Sequence, residues 1–265
     1  MERKTSVPRT SPRYVFIGGL HRSGTSLVAQ AIASHPKVSG IGNSPAPENE
    51  GVYLQGAIPH TAEMGTPGSF AQDDDQHLTE GSRFNTLVVR DYLSAQWEPW
   101  FDPEAPWRVE KSPVNLTRAR LMQQLFPLSH FIFVIRHPVA VSMATAKWSD
   151  RDLSALLGHW DDAHIRLKGD LPHLHNWMIL RYEDIVSDPV ASLSRVWHFM
   201  SLPDHAADID VRRDVNDGYF RDWSPTGTPM AAAEAFGYVL DPPNTLPMQM
   251  QSVRHVYRSV TEAAG

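Results

Sequence analysis

The stretch of sequence that decides the fold is residues 14–26, which read YVFIGGLHRSGTS. Its first four residues form a short apolar run, and two consecutive glycines follow, a pattern typical of a buried strand that ends in a tight turn. From Ser23 to Ser34 the apolar residues recur at helical spacing, and Pro36 ends this pattern. The sequence therefore predicts a strand, a glycine-bounded loop and a helix in direct succession.

The glycine-bounded loop is predicted to bind an anion. Its backbone N–H groups can surround a phosphate or a sulfate, and the start of the helix adds partial positive charge. Thr25 takes the place of the lysine in nucleotide-hydrolysing P-loops, so Arg22 is the only cation in the loop. This departure argues against ATP and favours a planar, bidentate grip on one oxyanion. The candidate anion-binding residues are His21, Arg22, Ser23, Gly24, Thr25 and Ser26.

A second candidate anion site follows the strongest apolar run, His130–Ile135, which is predicted to be a buried strand. Arg136 comes directly after this run, where a nucleotide-hydrolysing enzyme would usually carry a magnesium-binding aspartate. The helix predicted next carries Ser142 and Thr145. Two anion sites on adjacent strand–helix units suit a nucleotide that has phosphates at two different positions.

The alternation of strands and helices predicts an α/β fold, a P-loop-like three-layer sandwich whose central parallel sheet is flanked by helices. Ligands of such sheets bind at the carboxyl ends of the strands, where both candidate anion sites lie. We expect residues 1–12 to form a flexible tail and residues 13–265 a single domain. Residues 38–80 and 203–245 are predicted to be mostly irregular, and the chain from Met248 onward to be helical.

Composition excludes several classes of function. The 265 residues carry a formal net charge of -6, which is unfavourable for binding a nucleic-acid backbone. The sequence contains no cysteine, which excludes disulfides and thiolate catalysis. It shows no signal-peptide pattern and no apolar stretch of transmembrane length, so we expect a cytoplasmic protein that does not span a membrane.

Four motifs together resemble the sulfotransferases that use 3′-phosphoadenosine-5′-phosphosulfate (PAPS), in particular bacterial-type members. GLHRSGTS at 19–26 is similar to the 5′-phosphosulfate loop of that family, and IRHP at 135–138 to its 3′-phosphate site. EKSP at 110–113 resembles the segment that carries a catalytic lysine in tyrosylprotein sulfotransferases, and LRYED at 180–184 resembles a later strand-end motif. The four motifs occur in the family's order.

The resemblance implies an enzyme that moves a sulfuryl group from PAPS to a hydroxyl or amine acceptor by in-line transfer. Adenosine 3′,5′-bisphosphate (PAP) would be the second product, and no metal would be required. Arg22 and the loop amides would hold the 5′ group, and Lys111 would stabilise the charge that develops on the leaving oxygen. Tyr182 would pack near the adenine.

The same resemblance assigns the 3′-phosphate to Arg136. The family usually places a serine eight residues after this arginine, and that position is Ala144 here. Ser142 or Thr145 is expected to supply the hydroxyl instead.

The base that takes the acceptor's proton is expected between residues 47 and 51, because related enzymes carry a catalytic glutamate in a similar region. Glu48 and Glu50 are the two candidates, and His60 is a third whose ordinary pKa suits the task. The acceptor remains open among carbohydrate, lipid, phenol and peptide. Two alternatives to a sulfotransferase also remain, a P-loop kinase of a small hydroxyl compound and a non-catalytic nucleotide-binding module.

Overall fold

The computed structural model describes residues 11–60, 68–207, 209–210, 215–256 and 260. Most of the expected N-terminal tail, residues 1–10, lies outside this part of the chain. The centre of the structure is a six-stranded sheet. Its strands are β1 (Arg13–Gly18), β2 (Val38–Gly40), β3 (Trp107–Lys111), β4 (His130–Ile135), β5 (Asn176–Arg181) and β8 (Val253–His255). They lie in the order β2-β3-β1-β4-β5-β8.

Helices cover both faces of the sheet. They are α1 (Thr25–Ala33), α2 (Leu87–Trp97), α3 (Asn115–Leu125), α4 (Pro138–Thr145), α5 (Leu153–Asp170), α6 (Tyr182–Ser187), α7 (Pro189–Phe199) and α8 (Val215–Arg221). A short antiparallel pair, β6 (Tyr238–Leu240) and β7 (Pro243–Thr245), lies outside the main sheet. The predicted α/β sandwich with a mostly parallel central sheet is therefore confirmed.

The central strands are buried on both faces because their side chains alternate between two apolar cores. Phe131 and Phe133 of β4 join the core that contains residues of α3 and α5. Ile132 and Val134, on the opposite face, pack in the core formed with α1 and α7. A continuous apolar run such as β4 is what a strand covered on both sides requires, and its predicted bounds match the structure.

Within the described residues, residues 38–80 and 203–245 are mostly irregular as predicted, but they contain short elements that the sequence did not indicate. β2 lies within residues 38–80, and α8 and the β6–β7 pair lie within residues 203–245. The prediction that the chain is helical from Met248 onward was wrong for residues 248–255, because residues 253–255 form β8, antiparallel to β5. In the part of the chain that the structure describes, no helix is both long enough and apolar enough to cross a membrane.

Candidate active site

The loop between β1 and α1 is shaped by two glycines that no other residue could replace without strain. A side chain at Gly19 would collide with the carbonyl oxygen of Val134, so the loop can approach β4 closely. Gly24 has a φ of 98°, and a Cβ there would lie 2.8 Å from Cδ2 of Tyr182. Arg22 also has a left-handed φ, of 68°. Such backbone strain is typical of a functional loop.

The interior of this loop offers hydrogen-bond donors for an anion. Val28 donates its N–H to the carbonyl of Gly24, and this bond closes the first turn of α1. The amides of the residues before Val28 therefore lie at the N-terminus of the helix, next to the loop. Ser23 is fully buried, and its hydroxyl has no hydrogen-bond partner among the described residues. Thr25 is buried and Ser26 half-buried. The predicted anion-binding residues therefore lie together at one turn.

His21 and Arg22 share a contact with Trp148, which lies in the turn after α4. The centre of the Arg22 guanidinium is 5.2 Å from the indole centroid, and the His21 ring packs edge-on at 5.4 Å. Burial, with smaller contributions from Lys111 and Arg22, lowers the pKa of His21 to about 4. The imidazole is therefore neutral at pH 7. Its Nδ1 is buried and has no partner in the described structure.

Arg136 lies at the same edge of the sheet as the loop. Its Nη1 donates a hydrogen bond of 2.9 Å to the backbone oxygen of Arg22, and only 6% of the residue is exposed. The guanidinium lies over the ring of Tyr182 at 4.3 Å and near that of Tyr219 at 5.9 Å. The structure thus brings the two candidate anion sites into direct contact, as the strand order β1-β4 requires.

A side chain that sequence reasoning missed orients this arginine. Nε and Nη2 of Arg136 donate to Oδ1 of Asn216 on α8, at 2.9 and 2.6 Å. Asn216 in turn donates through Nδ2 to Glu183, which also accepts the N–H of His137. No local pattern could have revealed this contact, because 80 residues separate Arg136 from Asn216.

The two hydroxyls proposed for the second anion site differ in their surroundings. Ser142 is buried, and its Oγ has no hydrogen-bond partner among the described residues, which is uncommon for a buried hydroxyl. Thr145 is also buried, but its methyl group is directed toward Gly68, where a Cβ would lie 3.4 Å away. Ala144 is buried and offers no side-chain donor.

Lys111, at the carboxyl end of β3, forms a buried ion pair with Glu50. Nζ of Lys111 lies 2.8 Å from Oε1 of Glu50, and the two side chains are 6% and 9% exposed. Burial raises the pKa of Glu50, and Lys111 partly opposes this effect. A cation and a carboxylate of raised pKa therefore lie side by side next to the anion-binding loop, an arrangement suited to proton transfer.

A second buried carboxylate that was not predicted fixes the loop carrying Glu50. Glu110 precedes Lys111 in β3, and it accepts hydrogen bonds from the N–H of Gly51 and from the side chains of Ser112 and Asn115. Its neighbour Ser112 also accepts the N–H of Val52 at 3.1 Å. The chain after Glu50 is therefore held against the end of β3.

The surroundings of the other two candidate bases, Glu48 and His60, differ from those of Glu50. Glu48 is exposed, has a φ of 53°, and lines a cleft of about 210 Å³ that Lys111 and Ser26 also border. His60 is buried, and its ring packs edge-on against Tyr53 at 4.9 Å. Among the three candidates, Glu50 is the one for which the structure shows a contact with Lys111.

The sequence of residues 12–206 matches the profile of the sulfotransferase family. The chain belongs to this family. A curated relative, protein-tyrosine sulfotransferase A of Caenorhabditis elegans, is 24% identical over 207 residues. The match covers 74% of this chain and 51% of the relative, so the chain spans about half the length of the curated relative it matches.

Solved structures of sulfotransferases have the same fold. The sulfotransferase domain from the curacin biosynthetic pathway superposes with a TM-score of 0.53 at 15% identity, covering 84% of this chain and 94% of that one. A sulfotransferase from Alicyclobacillus acidocaldarius gives a TM-score of 0.51 at 15% identity, with coverages of 80% and 91%. At 15% identity, these superpositions show that the fold is shared.

Proposed function

We propose that this sulfotransferase transfers a sulfuryl group from PAPS to a hydroxyl or amine acceptor. The observation that carries the proposal is the contact between the two cationic sites, in which Arg136 donates to the backbone oxygen of Arg22. Two anion sites on neighbouring strands suit a nucleotide with one phosphate on the 3′ carbon and a phosphosulfate on the 5′ carbon. ATP carries all its phosphates in one chain, so it has no phosphate to place in the second anion site.

The residues present fit such a nucleotide. Arg22 and Arg136 form no ion pair within the described residues, so both cations are available to an anion. Buried, unpartnered hydroxyls of Ser23 and Ser142 lie in the loop and on the helix after Arg136. A buried donor without a partner is costly, and a bound oxyanion would satisfy it.

Each part of the site has a task in this proposal. Arg22, Ser23, Thr25, Ser26 and the amide of Gly24 hold the 5′ group, and His21 packs beside them. Arg136 and Ser142 hold the 3′-phosphate, with Thr145 behind them in the core. Tyr182 lies against both Gly24 and Arg136, so it is placed to support the nucleoside between the two anion sites.

The chemistry requires charge stabilisation and one proton acceptor. PAPS supplies the sulfuryl group, whose bond to the bridging oxygen breaks as the bond to the acceptor oxygen or nitrogen forms. Lys111 has three N–H donors, so it can keep its hydrogen bond to Glu50 and still donate to the bridging oxygen, where negative charge develops. Glu50 takes the acceptor's proton, because burial raises its pKa toward the working range of a general base.

The proposal is tested by measuring transfer of labelled sulfate from PAPS together with thermal stabilisation by nucleotides. We expect PAP to raise the melting temperature, because a ligand that binds only the folded state stabilises it. ATP with Mg²⁺ should have little effect, and Arg22→Ala should abolish transfer. Stabilisation by ATP with Mg²⁺ but not by PAP would favour a kinase. Binding of PAP without any transfer would indicate a non-catalytic module.

A further inference from the structure

Glu50 and Gly51 contact two consecutive residues at the carboxyl end of β3. Glu110 and Lys111 are neighbours in this strand, so their side chains point to opposite faces of the sheet. Lys111 borders the cleft beside α1, whereas Glu110 borders a small cavity lined by residues of α2. The side chain of Glu50 reaches Lys111, and the N–H of Gly51 reaches Glu110. Two consecutive loop residues are therefore attached to both sides of the strand end.

The carboxylate of Glu110 is the centre of the hydrogen bonds that hold this loop. Glu110 is 1% exposed, and it accepts from the N–H of Gly51 at 3.0 Å, from Ser112 and from Asn115. Ser112 in turn accepts the N–H of Val52. Without the Glu110 carboxylate, the buried N–H of Gly51 would lose this acceptor, which is unfavourable.

Several charged or titratable groups act on Glu50. Burial raises the pKa of Glu50, and the contact with Lys111 lowers it. The negative charges of Glu110 and Glu48 raise it further, with the larger effect from Glu110. Tyr53 stays neutral, because burial and the charge of Glu50 raise its pKa above the usual tyrosine value. Glu48 is exposed, so water and salt screen its charge more than that of the buried Glu110.

The surroundings of Glu110 suit its ionised form. Burial raises the pKa of this carboxyl, but hydrogen bonds from Ser112, Asn115 and the Gly51 amide lower it, as does the charge of Lys111. Hydrogen-bond donors stabilise the charged form of a carboxylate. Glu110 therefore keeps its negative charge next to the residue that exchanges a proton.

We propose that Glu110 is a positioning residue that acts through Glu50. Its hydrogen bond to Gly51 holds Glu50 against Lys111, and its negative charge favours proton transfer from the acceptor to Glu50. The role in catalysis rests on the proposed function. Two carboxylates thus lie beside one lysine with different tasks, since Glu50 gains and loses a proton whereas Glu110 keeps its charge.

The test follows the protonation of Glu50 by NMR, with ¹³C-labelled glutamate carboxyls in the full chain. Loss of one signal in Glu50→Gln identifies that of Glu50. Glu110→Gln keeps the volume and an oxygen for the Gly51 amide but removes the charge. Its Glu50 midpoint should lie about one pH unit below that of the wild type, because one like charge has been removed at close range. Asp161→Asn removes a buried carboxylate charge on α5, so it is the matched control and should leave the midpoint unchanged.

Two further variants separate the charge of Glu110 from the fixing of the loop. Glu110→Asp keeps the charge but is too short to hold the Gly51 amide, and Ser112→Ala removes the acceptor of the Val52 amide. Hydrogen exchange of the affected amide should accelerate about 10-fold or more, because one buried hydrogen bond is lost. The Glu50 midpoint should move much less in these two variants than in Glu110→Gln.

The inference is overturned if Glu110→Gln leaves the Glu50 midpoint in place or raises it, or if Glu110→Asp lowers it equally. If Glu110→Gln does not fold, as judged by near-ultraviolet circular dichroism, the other two variants decide. Wild-type exchange of the Gly51 amide in Glu110→Asp and of the Val52 amide in Ser112→Ala would then overturn it. These measurements need neither PAPS nor an acceptor. A wild type that transfers no sulfate from PAPS would overturn the proposed function separately.

Discussion

The buried pair of Lys111 and Glu50 gives a prediction whose size follows from the structure. Glu50→Gln removes the charge but keeps the volume and an oxygen that can accept from Lys111. Removing one partner of a buried pair typically costs about 3–5 kcal/mol, because the other charge stays buried and unpaired. Since both side chains are less than one tenth exposed and the amide oxygen remains, we expect a loss of about 3 kcal/mol for Glu50→Gln.

Lys111→Met should be destabilising for the same reason. The double variant contains no unpaired charge, so its loss should be smaller than the sum of the two single losses by about 2 kcal/mol or more. Urea denaturation of the four proteins measures this coupling. Strictly additive losses would refute the claim that the two side chains share one buried charge pair.

The same variant tests the assignment of the general base. General base catalysis typically contributes about 10²- to 10⁴-fold, so kcat of Glu50→Gln should fall by that factor. Glu48→Gln is the matched control and should lose only a few-fold, because Glu48 is exposed. The wild-type rate should rise with pH through a pKa above the usual glutamate value, and Glu50→Gln should lack this dependence. Loss of turnover in Glu48→Gln alone would reverse the assignment.

Two further predictions concern stability. Gly24→Ala combines an unfavourable φ with a Cβ 2.8 Å from the Tyr182 ring, so it should lose about 1–3 kcal/mol in urea denaturation; Gly169→Ala, in open space on α5, is the control and should lose nothing. Burial lowers the pKa of His159 to about 3, so the folded state resists its protonation and stability should fall as pH drops below 6.5. At pH 5 the loss from this histidine should be about 2 kcal/mol, and His159→Gln should show a correspondingly flatter dependence of melting temperature on pH.

The parts of the fold that could be predicted from sequence are those with strong local signals. β4 is a six-residue apolar run buried on both faces, and the loop after β1 combines glycines with hydroxyl residues. β2 and β8 have three residues each, too few to establish a period of two. Their pairing with β3 and β5 comes from tertiary contacts that no local pattern encodes.

The candidate site was likewise predicted where the sequence signal is local and missed where it depends on tertiary contacts. The motifs correctly indicated that the loop around Arg22 and the strand end at Arg136 would meet, because parallel neighbouring strands present their carboxyl ends at one edge. They did not separate Glu50 from Glu48, since Lys111, the contact that distinguishes Glu50, comes 61 positions later in the chain. The contact between Arg136 and Asn216 was likewise invisible, because α8 lies in a region with weak helical signals.

A crystal structure of the chain with PAP would test directly whether one nucleotide binds both anion sites. We expect one nucleotide across the edge of β1 and β4, with its 5′-phosphate in the loop around Arg22 and its 3′-phosphate within hydrogen-bond distance of Arg136. A nucleotide that leaves either arginine without a phosphate contact would contradict this expectation.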